Sequence, residues 1–381
     1  MGPLAGLKVV ELAGLGPAPC AGMMLADMGA EVVLIERKTR NANAASIDGM
    51  RAGNFVHRGK RSIAVDLKNP ASTDVVLRLI ERADVVVEGF RPGVMERLGL
   101  GPTVCHARNP KLVYGRLTGW GQTGPLAHAA GHDPNYIALS GALWHGGSAD
   151  RPPTAPLTLV GDLGGGTMML LFGLLGAVFH AARTGEGQVV DCAITDGSAY
   201  LSSLLWTMRN VGVLGGELGS SWADFGAPWN DTYRCADGGF VTVCALEPRF
   251  YALLIEQLGL SDDPLFAHQW DRTAWPAAKA RMQECFATHS RAHWCALLEG
   301  TDACFAPVLD PVEAAQHPHN VAREVFIERD GHVQPAPAPR FSRSVPEAGP
   351  IPSVGSDADA ILAELGYNAA AIAGLRETGA V

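Results

Sequence analysis

Charged side chains are scarce in this sequence of 381 residues: Asp, Glu, Lys and Arg make up 18%, against 47% hydrophobic residues. A chain with so little charge and so much apolar material buries a core, which excludes the disordered and fibrous classes. Its basic residues are also outnumbered, with 30 Lys and Arg to 39 Asp and Glu. The resulting net charge of -9 argues against a general nucleic-acid or anionic-membrane surface. We therefore expect no nucleic-acid partner and no membrane partner.

The cysteines lack the spacing that metal sites and disulfide frameworks have. All eight are scattered, with no CxxC pair and no His/Cys cluster, so free thiols and no metal are expected. The N-terminal residues lack a basic segment followed by an apolar one, so no secretory signal is expected. The most apolar run, 167–182, is too short for a bilayer and is predicted to be a buried core helix. Together these features predict a cytoplasmic protein.

Strand and helix patterns alternate in the first half of the chain. Residues 7–36 have the pattern strand, helix, strand, and the alternation continues through 61–120 and resumes near residue 189. Strands separated by helices form parallel sheets through right-handed crossovers. We predict an α/β fold with a Rossmann-like doubly wound parallel sheet, in which ligands bind outside the carboxyl ends of the strands.

The second half predicts a smaller α+β domain joined by linkers. Residues 231–246 have the pattern of a hairpin around Asp237 and Gly238, and helical patterns follow to about residue 300. The segment PAPAPRFS is a proline-rich connector. The predicted division is a large domain of 1–190 with 340–381, a linker helix and loop of 191–230, a small domain of 231–325, and a return linker of 326–339.

A glycine turn after the first strand invites comparison with dinucleotide-binding proteins. Gly14, Gly16 and the acidic Glu36 have approximately the spacing of that fingerprint. However, Pro17 and Pro19 occupy the place where helix N–H groups would meet a pyrophosphate. A plain structural turn is therefore favoured over an NAD(P) dehydrogenase.

The segment 37–61 reverses the charge balance of the chain. It contains seven cations and only one acid, Asp48, together with Gly53, Asn54 and Gly59. A charge run is more often a solvated face, but a basic loop with glycines can also wrap phosphates. We predict an anion-binding segment here, next to a predicted strand end.

Two titratable groups of different chemistry stand in the middle of the chain: His132 in GHDPNY and Asp162 in VGDLGGG. An acid and a base on opposite faces of a carbon can remove a proton from one side and return one to the other. Histidine titrates near neutral pH, and an aspartate near a glycine-opened helix is tuned by the helix N-terminus and by burial. Two plainer interpretations remain: His132 and Asp133 as a loop hydrogen-bonding pair, and Asp162 as a helix N-cap.

A set of motifs spread over nearly the whole chain resembles one family. The motifs are GLKVVELAG, VLIER, RGKRSIAVDLK, EGFRPGV, TGWGQTGP, GHDPNY, VGDLGGGTM, DTYRCADG, ALEPRFY and PAPRFS. They resemble the class III CoA-transferase superfamily, and most closely its 2-methylacyl-CoA racemase branch. The resemblance implies an intertwined homodimer and a coenzyme A thioester as substrate, with neither a metal nor a nicotinamide cofactor.

The resemblance also implies roles for individual residues. His132 and Asp162 are the implied acid/base pair, and Glu247 in ALEP is the implied partner of His132. One enantiomer would lose its α-proton to His132 and the other to Asp162, and the enolate would be reprotonated from the opposite side. The implied substrate and CoA contacts are Arg37, Arg58, Lys60, Arg61, Arg91, Gly131, Asp133 and Tyr136.

Two rival functions bear on the same residues. In a CoA-transferase, Asp162 would attack the thioester and form an acyl anhydride. The transferases of the superfamily generally lack a histidine before the paired aspartate, so His132 favours racemisation. A non-catalytic acyl-CoA-binding protein would need a broken acid/base pair, yet both members are present.

Overall fold

The chain folds as two compact units in the computed structural model, which describes residues 1–38, 53–147, 152–215 and 217–381. The first unit comprises Met1–Ala142, Pro156–Leu201 and Phe326–Val381, and the second comprises Leu143–Ala155 and Ser202–Val325. The predicted linker of 191–230 is therefore divided between the units, and the predicted return linker of 326–339 belongs to the first.

The first unit contains a parallel sheet of six strands. The strands are β1 (Lys8–Leu12), β2 (Glu31–Arg37), β3 (Arg61–Val65), β4 (Val85–Glu88), β5 (Val113–Thr118) and β6 (Val189–Ala193). All neighbouring strands pair in parallel, in the order β3-β2-β1-β4-β5-β6. This is the Rossmann order, whose direction reverses between β1 and β4, so the predicted doubly wound α/β fold is confirmed.

Helices follow most of these strands, and several start at a proline, whose fixed φ and missing N–H suit a first turn. They are α1 (Pro17–Asp27), α2 (Pro70–Ile80), α3 (Val94–Arg97), α4 (Pro102–Arg108), α5 (Asp133–Leu139), α6 (Met169–Thr184) and α7 (Ile194–Leu201). A π-helical segment, Leu159–Met168, runs directly into α6.

Both faces of the sheet are covered by apolar side chains. Val9 of β1 belongs to the cluster that contains α1 and α6, whereas its neighbour Val10 belongs to the cluster that contains α2. Successive side chains of a strand point to opposite faces, so the strands read as continuous apolar runs when both faces are buried.

The helical stretch Leu159–Thr184 is only partly buried. It is 26 residues long and, among the described residues, is the one helix long and apolar enough to cross a membrane by length and composition alone. Core helices of soluble proteins pass the same test, but only 39% of its most apolar window is buried. Phe172, Leu175 and Phe179 are exposed along it. The prediction of a buried core helix over 167–182 therefore holds for only one face.

The second unit contains an antiparallel sheet of three strands and a separate apolar core. The strands are β7 (Asn230–Arg234), β8 (Phe240–Cys244) and β9 (Phe305–Val308). The helices are α8 (Ser203–Asn210), α9 (Pro248–Gln257), α10 (Trp275–Phe286), α11 (Arg291–Leu298), α12 (Pro311–Gln316) and α13 (Pro318–Ala322). The predicted hairpin is present, with Gly238 at a φ of 84° in its turn.

The chain returns to the first unit through a hairpin that the sequence analysis treated as a linker. Strand β10 (Phe326–Arg329) pairs with β11 (His332–Pro335) in antiparallel register. The connecting Asp330 and Gly331 have φ values of 53° and 74°, as an Asp-Gly hairpin turn requires. The last helices are α14 (Ala358–Glu364) and α15 (Ala369–Glu377).

Candidate active site

A cavity of about 180 Å³ opens at the carboxyl edge of the parallel sheet, where the strand order reverses. Residues after β1, β4, β5 and β6 contribute to its wall. The lining residues are Leu15, Gly16, Pro17, Ala18, Gly89, Leu117, Thr118, Gly119, His132, Tyr136, Asp162 and Ile194. The structure thus brings His132 and Asp162, which are far apart in sequence, to one cavity.

His132 is the residue immediately before α5. The helix starts here because Pro134 stands in its first turn and because the Asn135 side chain accepts the His132 N–H at 3.0 Å. The His132 side chain is exposed. The residue lines the cavity.

Asp162 lies inside the π-helical segment and not ahead of an α-helix as predicted. The segment starts after Thr158, and the N–H of Leu163 donates to the carbonyl of Thr158 at 2.9 Å, a bond that spans five residues. Asp162 is therefore not the N-cap. Single turns of π-helix are rare in proteins and are frequently found at functional sites.

The glycines after Asp162 allow α7 to approach the π-helical segment closely. A Cβ on Gly165 would lie 2.3 Å from the Ser198 Oγ, and one on Gly197 would lie 1.9 Å from the Gly165 carbonyl oxygen. Side chains larger than hydrogen would push the two helices apart. The glycine run thus fixes where Asp162 stands relative to the sheet.

The environment of Asp162 makes it a stronger base than an exposed aspartate. Burial raises the pKa of its carboxyl group, the charge of Asp133 raises it further, and His132 lowers it. The Asp133 side chain is itself buried and accepts the backbone N–H of Asp162 at 2.7 Å through Oδ2. Asp133 was predicted to contact the substrate, whereas here its carboxylate holds the Asp162 peptide.

Tyr136 and Gly131 stand next to His132. The Tyr136 hydroxyl donates to the carbonyl of Gly131, and its ring lines the cavity. Gly131 is partly buried beneath the rings of Trp120 and Tyr136, where a Cβ would lie within 3 Å of both. Contact of either residue with the substrate stays a prediction.

Two of the predicted phosphate contacts lie at the carboxyl edge with exposed side chains. Arg37 ends β2 and Arg91 follows β4, and both are exposed. Burial and the charge of Asp162 raise the pKa of Tyr136, and the charge of Arg91, a cation near the cavity, opposes that rise. Their contact with phosphates stays a prediction. Arg40 and Arg51 of the basic segment lie outside the described residues.

Arg58 and Lys60 differ from the prediction. The Arg58 guanidinium is buried against Asp27 at 2.6 Å, with exposed fractions of 2% and 3% for the two side chains. The Lys60 ammonium is buried against Glu11 at 2.7 Å. Both cations are thus enclosed and already paired, so neither is available to a ligand phosphate in this structure.

Arg61 also differs, because it lies at the other end of the sheet. It is the first residue of β3 and pairs with Glu364 of α14 at 2.8 Å. Lys8, the first residue of β1, lines the same surface cavity. The carboxyl edge, which carries His132 and Asp162, is at the far end of these strands.

Glu247 belongs to the second unit, where it is the exposed residue preceding α9. Its predicted pairing with His132 stays a prediction.

The sequence analysis missed the contribution of the first glycine turn to this site. Gly16 has a φ of 70°, and a Cβ placed on it would lie 3.6 Å from Oδ2 of Asp162. The signal was visible as a glycine turn after β1, but it was interpreted against a dinucleotide fingerprint. The acid of that fingerprint, Glu36, instead accepts a hydrogen bond from the Ser62 hydroxyl.

Within the described ranges, no group of three or more His, Cys, Asp or Glu side chains is placed to hold a metal ion. The titratable side chains that line the cavity are those of His132, Tyr136 and Asp162.

The comparisons with known proteins concern the chain as a whole. The sequence model described as CoA-transferase family III matches residues 4–358. The chain is 46% identical over 369 residues to alpha-methylacyl-CoA racemase of Mus musculus, covering 96% of this chain and 94% of the relative. It is 43% identical over 368 residues to alpha-methylacyl-CoA racemase of Homo sapiens, with the same coverage of 96% and 94%.

A transferase and a solved structure complete the comparison. Acetyl-CoA:oxalate CoA-transferase of Acetobacter aceti is 34% identical over 344 residues, or 88% of each chain. The crystal structure of a CAIB/BAIF family protein from Brucella suis has a TM-score of 0.79 at 28% identity, covering 96% of this chain and 99% of that one. The resemblance of the motifs is thereby confirmed, and the chain belongs to CoA-transferase family III.

Proposed function

We propose that this protein interconverts the two configurations at the α-carbon of 2-methylacyl-CoA thioesters. The observation that carries the proposal is that His132 and Asp162 line one cavity at the switch point of the sheet. The racemases of mouse and human, to which nearly the whole chain is similar, supply the substrate class. The reaction is α-proton removal and return through an enolate.

Each of the two groups acts as the base for one enantiomer of the substrate. Neutral His132 takes the α-proton of one enantiomer, and the Asp162 carboxylate takes that of the other; the protonated partner then delivers a proton to the opposite face of the planar enolate. The raised pKa of Asp162 suits this role, because a stronger carboxylate base removes a weakly acidic C–H proton more readily. Glu247 is proposed to orient His132.

Coenzyme A is proposed to be part of the substrate, with its phosphates near Arg37 and Arg91. Both arginines are exposed at the carboxyl edge, and the guanidinium fork suits bidentate binding of phosphate. The reaction as written moves only protons, so we propose no further cofactor. We also propose a cytosolic location, with which the free thiols of all eight cysteines agree.

The chain is further proposed to form a homodimer. Exposed apolar side chains follow the helix Leu159–Thr184, and Phe172 and Phe179 have exposed fractions of 71% and 65%. An apolar face of this length is unfavourable in water and marks a protein or membrane contact. We favour a second copy of the chain because Asp162, an ionisable residue of the cavity, lies on the same continuous helix.

The experiment uses a single-enantiomer 2-methylacyl-CoA in deuterium oxide with no other acid present. Mass spectrometry follows α-deuteration, and chiral analysis follows configuration. The expected result is deuterium entering together with loss of optical purity. His132→Ala and Asp162→Ala should each reduce racemisation by about 10²- to 10⁴-fold, the usual contribution of a general acid/base group. His128→Ala, which changes an exposed histidine of the preceding loop, is the matched control.

The alternative is CoA transfer, favoured by the similarity to acetyl-CoA:oxalate CoA-transferase. Asp162 would then attack the thioester carbonyl, form an acyl-aspartyl anhydride and release CoA. The same experiment separates the two functions. No α-deuteration of the thioester alone, with CoA moving once a second carboxylate is added, would establish transfer. Full racemisation by His132→Ala would refute the two-base scheme.

A further inference from the structure

The peptide group between Gly131 and His132 is held at both of its polar ends by side chains of α5. Its carbonyl accepts the Tyr136 hydroxyl, and its N–H donates to Oδ1 of Asn135 at 3.0 Å. A peptide group is planar, so holding its oxygen and its hydrogen fixes the orientation of the plane. That plane fixes the direction of the N–Cα bond of His132, from whose Cα the side chain branches.

The Tyr136 ring has little freedom to move. A Cβ placed on Gly119 would lie 2.0 Å from the ring, so the ring fills the space that a side chain at this position would need. The Trp120 ring meets the Tyr136 ring edge to face, with centroids 4.8 Å apart. The hydroxyl is therefore aimed at the Gly131 carbonyl by packing as well as by its hydrogen bond.

The hydroxyl also remains a donor at neutral pH. Burial raises the pKa of Tyr136, the charge of Asp162 raises it further, and only Arg91 lowers it. A phenol that keeps its proton has one hydrogen to donate, and the Gly131 carbonyl takes it. The hydrogen is thus committed to the backbone and not to a bound thioester.

We infer that Tyr136 is a positioning residue for His132, acting through the Gly131 carbonyl, and that it serves one of the two proton transfers. The inference rests on the proposed racemisation and adds to it an asymmetry between the enantiomers. Asp162 is held by a different group, the carboxylate of Asp133, which accepts its backbone N–H. Loss of a hydrogen bond to the Gly131–His132 peptide group should therefore slow proton transfer by His132. Proton transfer by Asp162 should be largely unaffected.

The test compares α-deuteration of each enantiomer at initial rates in Tyr136→Phe and in the wild type. Net racemisation cannot be used, because the equilibrium constant fixes the ratio of kcat/KM for the two directions. Exchange of the α-proton for deuterium with retention of configuration is not subject to this constraint. In that exchange a single base removes the proton and returns a deuteron to the same face. His132→Ala first shows which enantiomer depends on His132, since the other continues to exchange through Asp162.

Tyr136→Phe should slow exchange of the His132-dependent enantiomer by about 3- to 10-fold, the scale of one hydrogen bond's net contribution. Exchange of the other enantiomer should stay within about twofold. The ratio of the two rates does not depend on the fraction of folded protein, so partial misfolding does not imitate the result. Asn135→Ala, which releases the other end of the peptide, should shift the ratio in the same direction.

Tyr367→Phe removes a hydroxyl that donates to Asp74 outside the cavity, and it should leave the ratio unchanged. An unchanged ratio in both Tyr136→Phe and Asn135→Ala would overturn the inference, as would equal slowing of both enantiomers. If the wild type exchanges neither enantiomer, the proposed racemisation fails and this inference fails with it. Exchange in the wild type with no asymmetry in the variants refutes the inference alone.

Discussion

The carboxylate of Asp133 accepts the backbone N–H of Asp162 at 2.7 Å. One acidic side chain thus holds the peptide of another and also repels its charge, because Asp133 raises the pKa of Asp162. A negative charge nearby disfavours the ionised form of the Asp162 carboxyl group. Both the position and the basicity of the Asp162 carboxylate therefore depend on Asp133.

Replacing Asp133 by Asn separates these two effects. The amide oxygen can still accept the Asp162 N–H, but the charge is lost, so the pKa of Asp162 should fall. Asp162 acts as a base only when ionised, and its ionised form should then persist to lower pH. The acid limb of kcat/KM for the enantiomer that Asp162 deprotonates should move to lower pH, measured by α-deuteration.

Asp84→Asn is the matched control, because Asp84 also accepts a backbone N–H, that of Lys8 at 2.9 Å, but at the amino-terminal edge of the sheet. It should leave the acid limb in place. A limb that does not move in Asp133→Asn, or that moves to higher pH, contradicts the assignment of the raised pKa to the charge of Asp133.

Replacing Arg58 by Met should lower the free energy of unfolding by about 3–5 kcal/mol at neutral pH, because Asp27 would be left as a buried charge without its partner. Denaturant unfolding measures this loss. The exposed pair of Arg376 and Asp359 provides the control, and Arg376→Met should cost at most about 1 kcal/mol. A stable Arg58→Met variant with a raised KM for the thioester would instead restore Arg58 as a phosphate contact.

The doubly wound parallel sheet, with its reversal of strand order, could be predicted because alternating apolar strands and helices leave few topologies. The convergence of the functional groups at the carboxyl edge followed from that order, and His132 and Asp162 both line the cavity found there. These predictions succeeded because they depend on local patterns and on a general rule of parallel sheets.

The burial of Arg58 and Lys60 could not be read from the basic segment. Their partners, Asp27 and Glu11, lie on other elements and are brought close only by the fold. A run of cations shows the charge of a segment but not the acids that the tertiary structure places against it. Arg61 illustrates the same limit, since it stands at the edge opposite to the cavity.

The π-helix around Asp162 was also beyond the sequence. An apolar run with glycines has nearly the same sequence pattern in an α-helix and in a π-helix. The two differ in their backbone hydrogen bonds, which span five residues in a π-helix, as the bond from the Leu163 N–H to the Thr158 carbonyl does. Within this segment the contact with α7 is so close that it requires glycine on both sides, at Gly165 and Gly197.

That contact yields a second stability prediction. Gly197→Ala places a Cβ 1.9 Å from the Gly165 carbonyl oxygen, so it should destabilise the protein by about 1–3 kcal/mol and reduce racemisation by shifting the segment that carries Asp162. Gly374→Ala is the control in another helix, α15, where nothing lies within 4 Å. There the substitution should stabilise by about 0.5–1 kcal/mol. Equal effects of the two changes in denaturant unfolding would contradict the close contact.

The exposed face of α6 gives the last prediction. Phe172 and Phe179 lie two turns apart on one side of the helix and are exposed, with Leu175 between them. If this face packs against a second copy, the wild type should sediment as a dimer, and Phe172→Glu/Phe179→Glu should sediment as a folded monomer, because burying two carboxylates in an apolar interface is strongly unfavourable. Val345→Glu changes an exposed apolar residue outside this helix and should remain dimeric. A wild type that sediments as a monomer but binds uncharged phospholipid vesicles, with binding lost in the double variant, would assign the face to a membrane instead.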